Sequence, residues 1–137
     1  MRLIEGAELL EHRVNVDPRG ELGAFEDFNN LPFPLERVFF IKAGMTGMPR
    51  GGHANSCDEA IIALSGSVLV EADNGYQKAG VRLSGGHEMV WIKPGVVVSL
   101  LDFEPNTILL VCASARFSDT RHYPCAQPHL ILADRAA

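Results

Sequence analysis

The residues best equipped for chemistry lie together in Gly47-Met48-Pro49-Arg50-Gly51-Gly52-His53-Ala54-Asn55-Ser56-Cys57-Asp58-Glu59. An imidazole titrates near neutrality and can take and return a proton, which makes His53 the candidate catalytic acid or base. A guanidinium holds phosphate or carboxylate through two parallel bonds, so Arg50 is a candidate anion contact. His53 and Asn55 are two apart, and a strand carries both on one face. Asn55 donates and accepts hydrogen bonds but cannot shuttle a proton. Asn55, Glu59 and Arg37, which opens the apolar run Arg37–Ile41, complete the set of candidate ligand contacts. Blander roles stay open for each: a strand histidine bound to backbone, a loop cation, an Arg37 paired with a surface acid, a solvated Glu59. Cys57 reads as a small core residue, because nothing near it supports a nucleophile. His87 reads as part of a strand-entry turn, and Trp91 as packing. His12, His122 and His129 read as isolated surface residues, with no H-x-x-H spacing among them.

The elements that must position these groups are short strands. Arg37–Ile41, Ala60–Leu64, Ser67–Glu71, Glu88–Ile92, Val96–Leu101 and Thr107–Ala113 are apolar, β-branched runs separated by turn residues. That spacing predicts an all-β sandwich or barrel. Asp73-Asn74-Gly75 predicts a tight hairpin, and Ser65-Gly66 and Pro94-Gly95 two further turns. Phe39 and Phe40 must point to opposite faces. Helix is scarce: one short turn around Leu9 and Leu10, closed by Pro18-Arg19-Gly20, and a tail after Arg116 that either holds a short helix or wraps the surface.

At 137 residues the chain is expected to form one domain, 1–137, large enough for a real core. It is 47% hydrophobic and 21% charged, which excludes disorder. Lys and Arg number 12 against 17 Asp and Glu, a formal charge of −5, so no nucleic-acid partner is expected. No apolar run nears the ~20 residues of a membrane helix, and the acidic N-terminus lacks a signal core. Cys57, Cys112 and Cys125 are irregularly spaced and predict reduced thiols in a cytoplasmic protein.

Read through Gly66, the run has the spacing G-x5-H-x-N-x3-E-x6-G. It resembles the first motif of the cupin superfamily, with Asn55 where a second histidine is expected. Gly86 to Val98 resembles the second motif, with Val98 in place of its histidine. A longer resemblance runs over about residues 12–120. It is carried by Asp17-Pro18-Arg19-Gly20-Glu21-Leu22, Pro32-Phe33, Arg37-Val38-Phe39-Phe40, Pro49-Arg50-Gly51-Gly52-His53-Ala54, Leu64-Ser65-Gly66-Ser67, Asp102-Phe103 and Leu109-Leu110-Val111-Cys112-Ala113-Ser114. Together these resemble the nucleoside-diphosphate-sugar 3,4-ketoisomerases, the FdtA/QdtA or WxcM-like family.

The resemblance implies an RmlC-like cupin jelly roll, a homodimer, no cofactor, no metal, and transfer of the ketone of dTDP-4-keto-6-deoxyglucose from C4 to C3. It implies a base at His53 and a diphosphate near Arg50 and Arg37. Phe39, Asn55 and Val98 depart from the family pattern of R-V-Y-Y, R-G-F-H-A-H and the later histidine. Two other functions compete with the isomerase: a sugar-nucleotide-binding cupin without catalysis, favoured by those departures, and a metal-dependent cupin. The last is opposed by the loss of two usual ligands, which leaves only His53 and Glu59.

Overall fold

The structure is a computed structural model that describes residues 1–136. Alternating inward and outward side chains build nearly all of it. The strands are β1 (Arg2–Ile4), β2 (Ala7–Glu11), β3 (Val14–Asp17), β4 (Gly20–Gly23), β5 (Arg37–Lys42), β6 (Arg50–Asn55), β7 (Glu59–Ser65), β8 (Ser67–Asp73), β9 (Lys78–Ser84), β10 (Glu88–Ile92), β11 (Val97–Leu101), β12 (Ile108–Ala113) and β13 (His122–Tyr123). A 3₁₀ turn (Phe117–Asp119) precedes β13, and the single α-helix among the described residues, α1 (Pro128–Ala136), follows it. The runs expected as strands are strands: Glu88–Ile92 matches at both ends, and the others differ by at most two residues at an end.

Two antiparallel sheets face one another, in the orders β1-β2-β10-β7-β12-β5 and β13-β6-β11-β8-β9. This is the jelly roll expected from the motifs. The main core lies between the sheets and includes Ile61, Val70, Leu83, Val90, Ile92, Val96 and Leu109. A second cluster, Leu31, Phe33, Ala60, Ile62, Met89 and Cys112, caps the outer face of the larger sheet. Along β5, Phe39 is half-buried and Phe40 exposed, so the two rings do face opposite ways.

Several local expectations fail. Leu9 and Leu10 lie not in a helical turn but in β2, which pairs with β10 (Leu10 opposite Met89, Leu9 opposite Val90). The Asp73-Asn74-Gly75 turn is wider than a two-residue hairpin, because Asn74 spends its side chain on the loop. Its Oδ1 accepts from the N–H groups of Tyr76 and Gln77 at 2.9 and 2.8 Å, and its Nδ2 donates to the carbonyl of Glu5 at 3.1 Å. His12 is not a free surface residue. Both ring nitrogens are shut off from solvent, its ring lies 4.9 Å from that of Phe25, and burial lowers its pKa.

Candidate active site

Gly51 sets the approach of β6 to the site. It has φ +81°, and a Cβ there would lie 2.6 Å from the carbonyl oxygen of Val98. Only glycine lets the backbone come so close in that conformation. The ladder between β6 and β11 slips at this point, between Val98 and Ser99. Beyond the slip, His53 stands directly opposite Val98. The result is a cavity of about 320 Å³ between the sheets, with Arg50 and Gly51 at one side, His53 and Glu59 within, and Phe39, Ile61, Val98, Leu100 and Val111 as apolar walls. Val98 therefore gives the imidazole an apolar wall where the second cupin motif has a histidine.

Glu59, which shares the cavity lining with His53, belongs to a polar triad in which Asn55 and Glu59 are buried and Arg37 is partly so. Asn55 Nδ2 donates to Glu59 Oε1 at 2.9 Å, and the Arg37 guanidinium stands 3.7 Å from Glu59 Oε2. Glu59 is only 7% exposed. Burial pushes its pKa above the ordinary 4.5, and Arg37 and then the Asn55 amide pull it back. The Arg37 guanidinium also lies over two rings, 5.1 Å from the centre of Phe39 and 5.6 Å from that of Phe117. Two polar atoms of this triad, Arg37 Nε and Asn55 Oδ1, are buried without a hydrogen-bond partner among the described residues. Such atoms are costly to leave without a partner.

The five predicted residues thus come together: His53, Arg50 and Glu59 line the cavity, and Asn55 and Arg37 brace Glu59. Arg50 is exposed at the edge of the cavity that it helps to line. Arg37 differs from the expectation of a cation facing an anionic ligand, since it already faces a carboxylate. Cys57 is buried, and burial raises its pKa, as suits a core thiol. Trp91 packs over the outer cluster and donates its Nε1–H to Asp58 Oδ1 at 2.9 Å. Among the described residues, no three His, Cys, Asp or Glu side chains stand close enough to hold a metal ion. Three larger depressions, of about 540, 670 and 430 Å³, lie beside Lys93, beside Arg82 and along β3 and β4, and none of them is lined by histidine or cysteine.

One group escaped the sequence reading. His122 is exposed but not isolated: its ring centre lies 5.0 Å from that of His53, edge to face, and 5.6 Å from that of Phe117. Burial, then His53 and Arg37, lower its pKa below the ordinary 6.5. Its strand, β13, has two residues, too few to show a period in the sequence.

The profile of the FdtA family, described as WxcM-like, C-terminal, matches residues 5–125. The chain belongs to this family. It is 30% identical over 114 residues to the TDP-4-oxo-6-deoxy-alpha-D-glucose-3,4-oxoisomerase of Aneurinibacillus thermoaerophilus, covering 82% of each chain. Among solved structures it is similar to the WlaRB TDP-quinovose 3,4-ketoisomerase of Campylobacter jejuni, with TM-score 0.82, 25% identity and 95% and 99% of the two chains covered. A double mutant of the QdtA 3,4-ketoisomerase of Thermoanaerobacterium thermosaccharolyticum, in complex with TDP, matches with TM-score 0.80, 25% identity and 87% and 88% coverage.

Proposed function

We propose that this FdtA-family protein is a sugar-nucleotide 3,4-ketoisomerase acting on a dTDP-4-keto-6-deoxyhexose, with His53 as its base. The reading rests on the placement of that imidazole. Among the described residues it is the one imidazole that lines the cavity, and it stands against the apolar walls of Val98, Ile61 and Leu100. His53 takes the proton from C3, and the C–H electrons form the C3=C4 bond of an enediol. Return of the proton to C4, with loss of the C3 hydroxyl proton, leaves the ketone at C3. The change is an isomerisation and needs no oxidant. A cavity of about 320 Å³ suits the sugar ring, leaving the diphosphate to lie out along the rim at Arg50. Asn55, Glu59 and Arg37 present polar atoms to the sugar hydroxyls.

The protein works as a cytoplasmic homodimer in this reading. Support for the cytoplasm is the thiol chemistry, since Cys57, Cys112 and Cys125 are all free. No helix among the described residues is long and apolar enough to cross a membrane.

The test is incubation with dTDP-4-keto-6-deoxyglucose in deuterated water, followed by NMR at C3 and C4. The expected result is migration of the ketone with deuterium incorporated, and loss of both in His53→Asn with dTDP affinity kept. An unchanged spectrum with wild-type protein refutes the isomerase.

A further inference from the structure

The mechanism above uses one imidazole, but the reaction moves two kinds of proton. One travels from C3 to C4; the other leaves the O3 hydroxyl while O4 gains one. His53 cannot serve all four positions equally well from one place. Asn55 has no proton to exchange, Val98 has no polar atom, and Phe39 has no hydroxyl.

The pairing of β13 with β6 brings a second imidazole to this point. His122 is directly opposite Asn55 in an antiparallel pair, with Tyr123 opposite Ala54. Residues directly opposite in such a pair project to the same face, and so do residues two apart on one strand. His122, Asn55 and His53 are therefore on one face, and the 5.0 Å edge-to-face contact of the two imidazoles follows from that register. The ring of Phe117 also packs near that of His122, at 5.6 Å between centres. The 3₁₀ turn carrying Phe117 is itself tied down: Thr120 N–H donates to the Phe117 carbonyl at 3.1 Å, and Arg121 N–H donates to Ser56 Oγ at 2.8 Å.

We propose that His122 is a second catalytic residue, the one that moves the hydroxyl protons, acting on the oxygens while His53 acts on the carbons. This rests on the ketoisomerase reading. As His53 takes the proton from C3, the protonated His122 gives its proton to O4, whose carbonyl electrons have moved onto oxygen. The neutral His122 ring then takes the proton of the O3 hydroxyl. The O3–H electrons form the C3 carbonyl, and the double-bond electrons take the proton from His53 at C4. Both rings end as they began, and the pair carries one proton throughout, so two adjacent imidazolium ions never form. Burial, then the neighbouring His53 and Arg37, lower the pKa of His122, which disfavours its charged form and makes the imidazolium, once formed, a stronger acid than a free one.

The experiment uses His122→Ala and His122→Phe with dTDP-4-keto-6-deoxyglucose as substrate. Removing an acid–base group slows such a step by on the order of 10²–10⁴-fold, so kcat should fall at least about 100-fold in both variants. Affinity for dTDP should stay within about threefold. Because His122 is exposed, free imidazole in solution can enter the space left by alanine. It should restore His122→Ala at least tenfold and leave His122→Phe unchanged, a difference that a merely structural role does not produce. Activity within threefold of wild type in either variant overturns the proposal, as does loss of activity in His122→Ala that imidazole does not restore. If His122→Ala fails to fold, an active His122→Phe protein overturns it alone. A wild-type protein that does not isomerise the substrate overturns the ketoisomerase reading and this role with it. An active wild type with normal variants removes only the role of His122.

Discussion

Arg50 and Arg37 have the same charge and opposite circumstances. Arg50 stands exposed at the rim, whereas Arg37 faces Glu59 at 3.7 Å and lies over two aromatic rings. Arg50→Ala should therefore weaken dTDP binding by about 1.5–3 kcal/mol, the scale of a charge-assisted hydrogen bond, and leave the melting temperature unchanged. Titration calorimetry and a thermal melt on the same sample separate the two effects. Arg37→Ala should instead destabilise the protein, because it leaves the buried Glu59 carboxylate without its compensating charge. Glu59 itself makes stability depend on pH. Its folded pKa lies above the unfolded value, so the folded chain binds the extra proton, and stability falls as pH rises through the folded pKa. In melts between about pH 4 and pH 7, wild type should lose stability relative to Glu59→Gln as the pH increases. A constant difference would mean that Arg37 and Asn55 cancel the cost of burial.

The turns show how an element is held in place by one residue type. Gly66, between β7 and β8, has φ +74°, and a Cβ there would run into the Thr107 side chain and backbone. Thr107 is fully buried, and its Oγ1 accepts from the N–H of Ser67 at 3.1 Å and lies 2.8 Å from the carbonyl of Glu104. It cannot yield without breaking those bonds. Gly66→Ala should cost about 2 kcal/mol or more, combining left-handed strain with the clash, and lower the melting temperature by roughly 7 °C. A variant melting with wild type would show that the loop simply shifts. Strands with apolar faces, such as β7, β10 and β12, were legible because burial imposes their pattern. β6 was legible only through its motif, since Arg50-Gly51-Gly52 has no strand pattern and is shaped by the bulge against β11. β2 was misread because its adjacent Leu9 and Leu10 also suit a helix, and only pairing with β10 decides between them. The site was legible for His53, Arg50, Asn55 and Glu59, which sit in one run. The Arg37–Glu59 pair and the place of His122 depend on strands that meet only in three dimensions.

At the scale of the whole molecule, one part is unsupported by the rest. β3 and β4 form a separate two-stranded ribbon, Val14 opposite Gly23 and Val16 opposite Glu21, with almost every residue exposed. Val16 is 65% and Leu22 63% exposed, and Glu21 Oε1 lies 3.7 Å from His87 Nε2 of the body. An isolated hairpin is marginal in water, and its free edges invite another strand. A second copy of the chain would cover these side chains and supply a neighbour for the ribbon, and closed two-fold pairs are the commonest oligomers. The outer edge of the larger sheet is similarly open: β5 is its last strand and exposes Val38 and Phe40. Light scattering at micromolar concentration should thus give about twice the 14.9 kDa of one chain. The double variant Val16→Asp with Leu22→Asp puts two charges on the ribbon and should shift the mass toward that of a single chain, with the circular dichroism of the β-sandwich retained. A single-chain mass for wild type would reject the dimer. A dimer that survives both substitutions would move its contact from the ribbon to the β5 edge, which Phe40→Asp then tests in the same way.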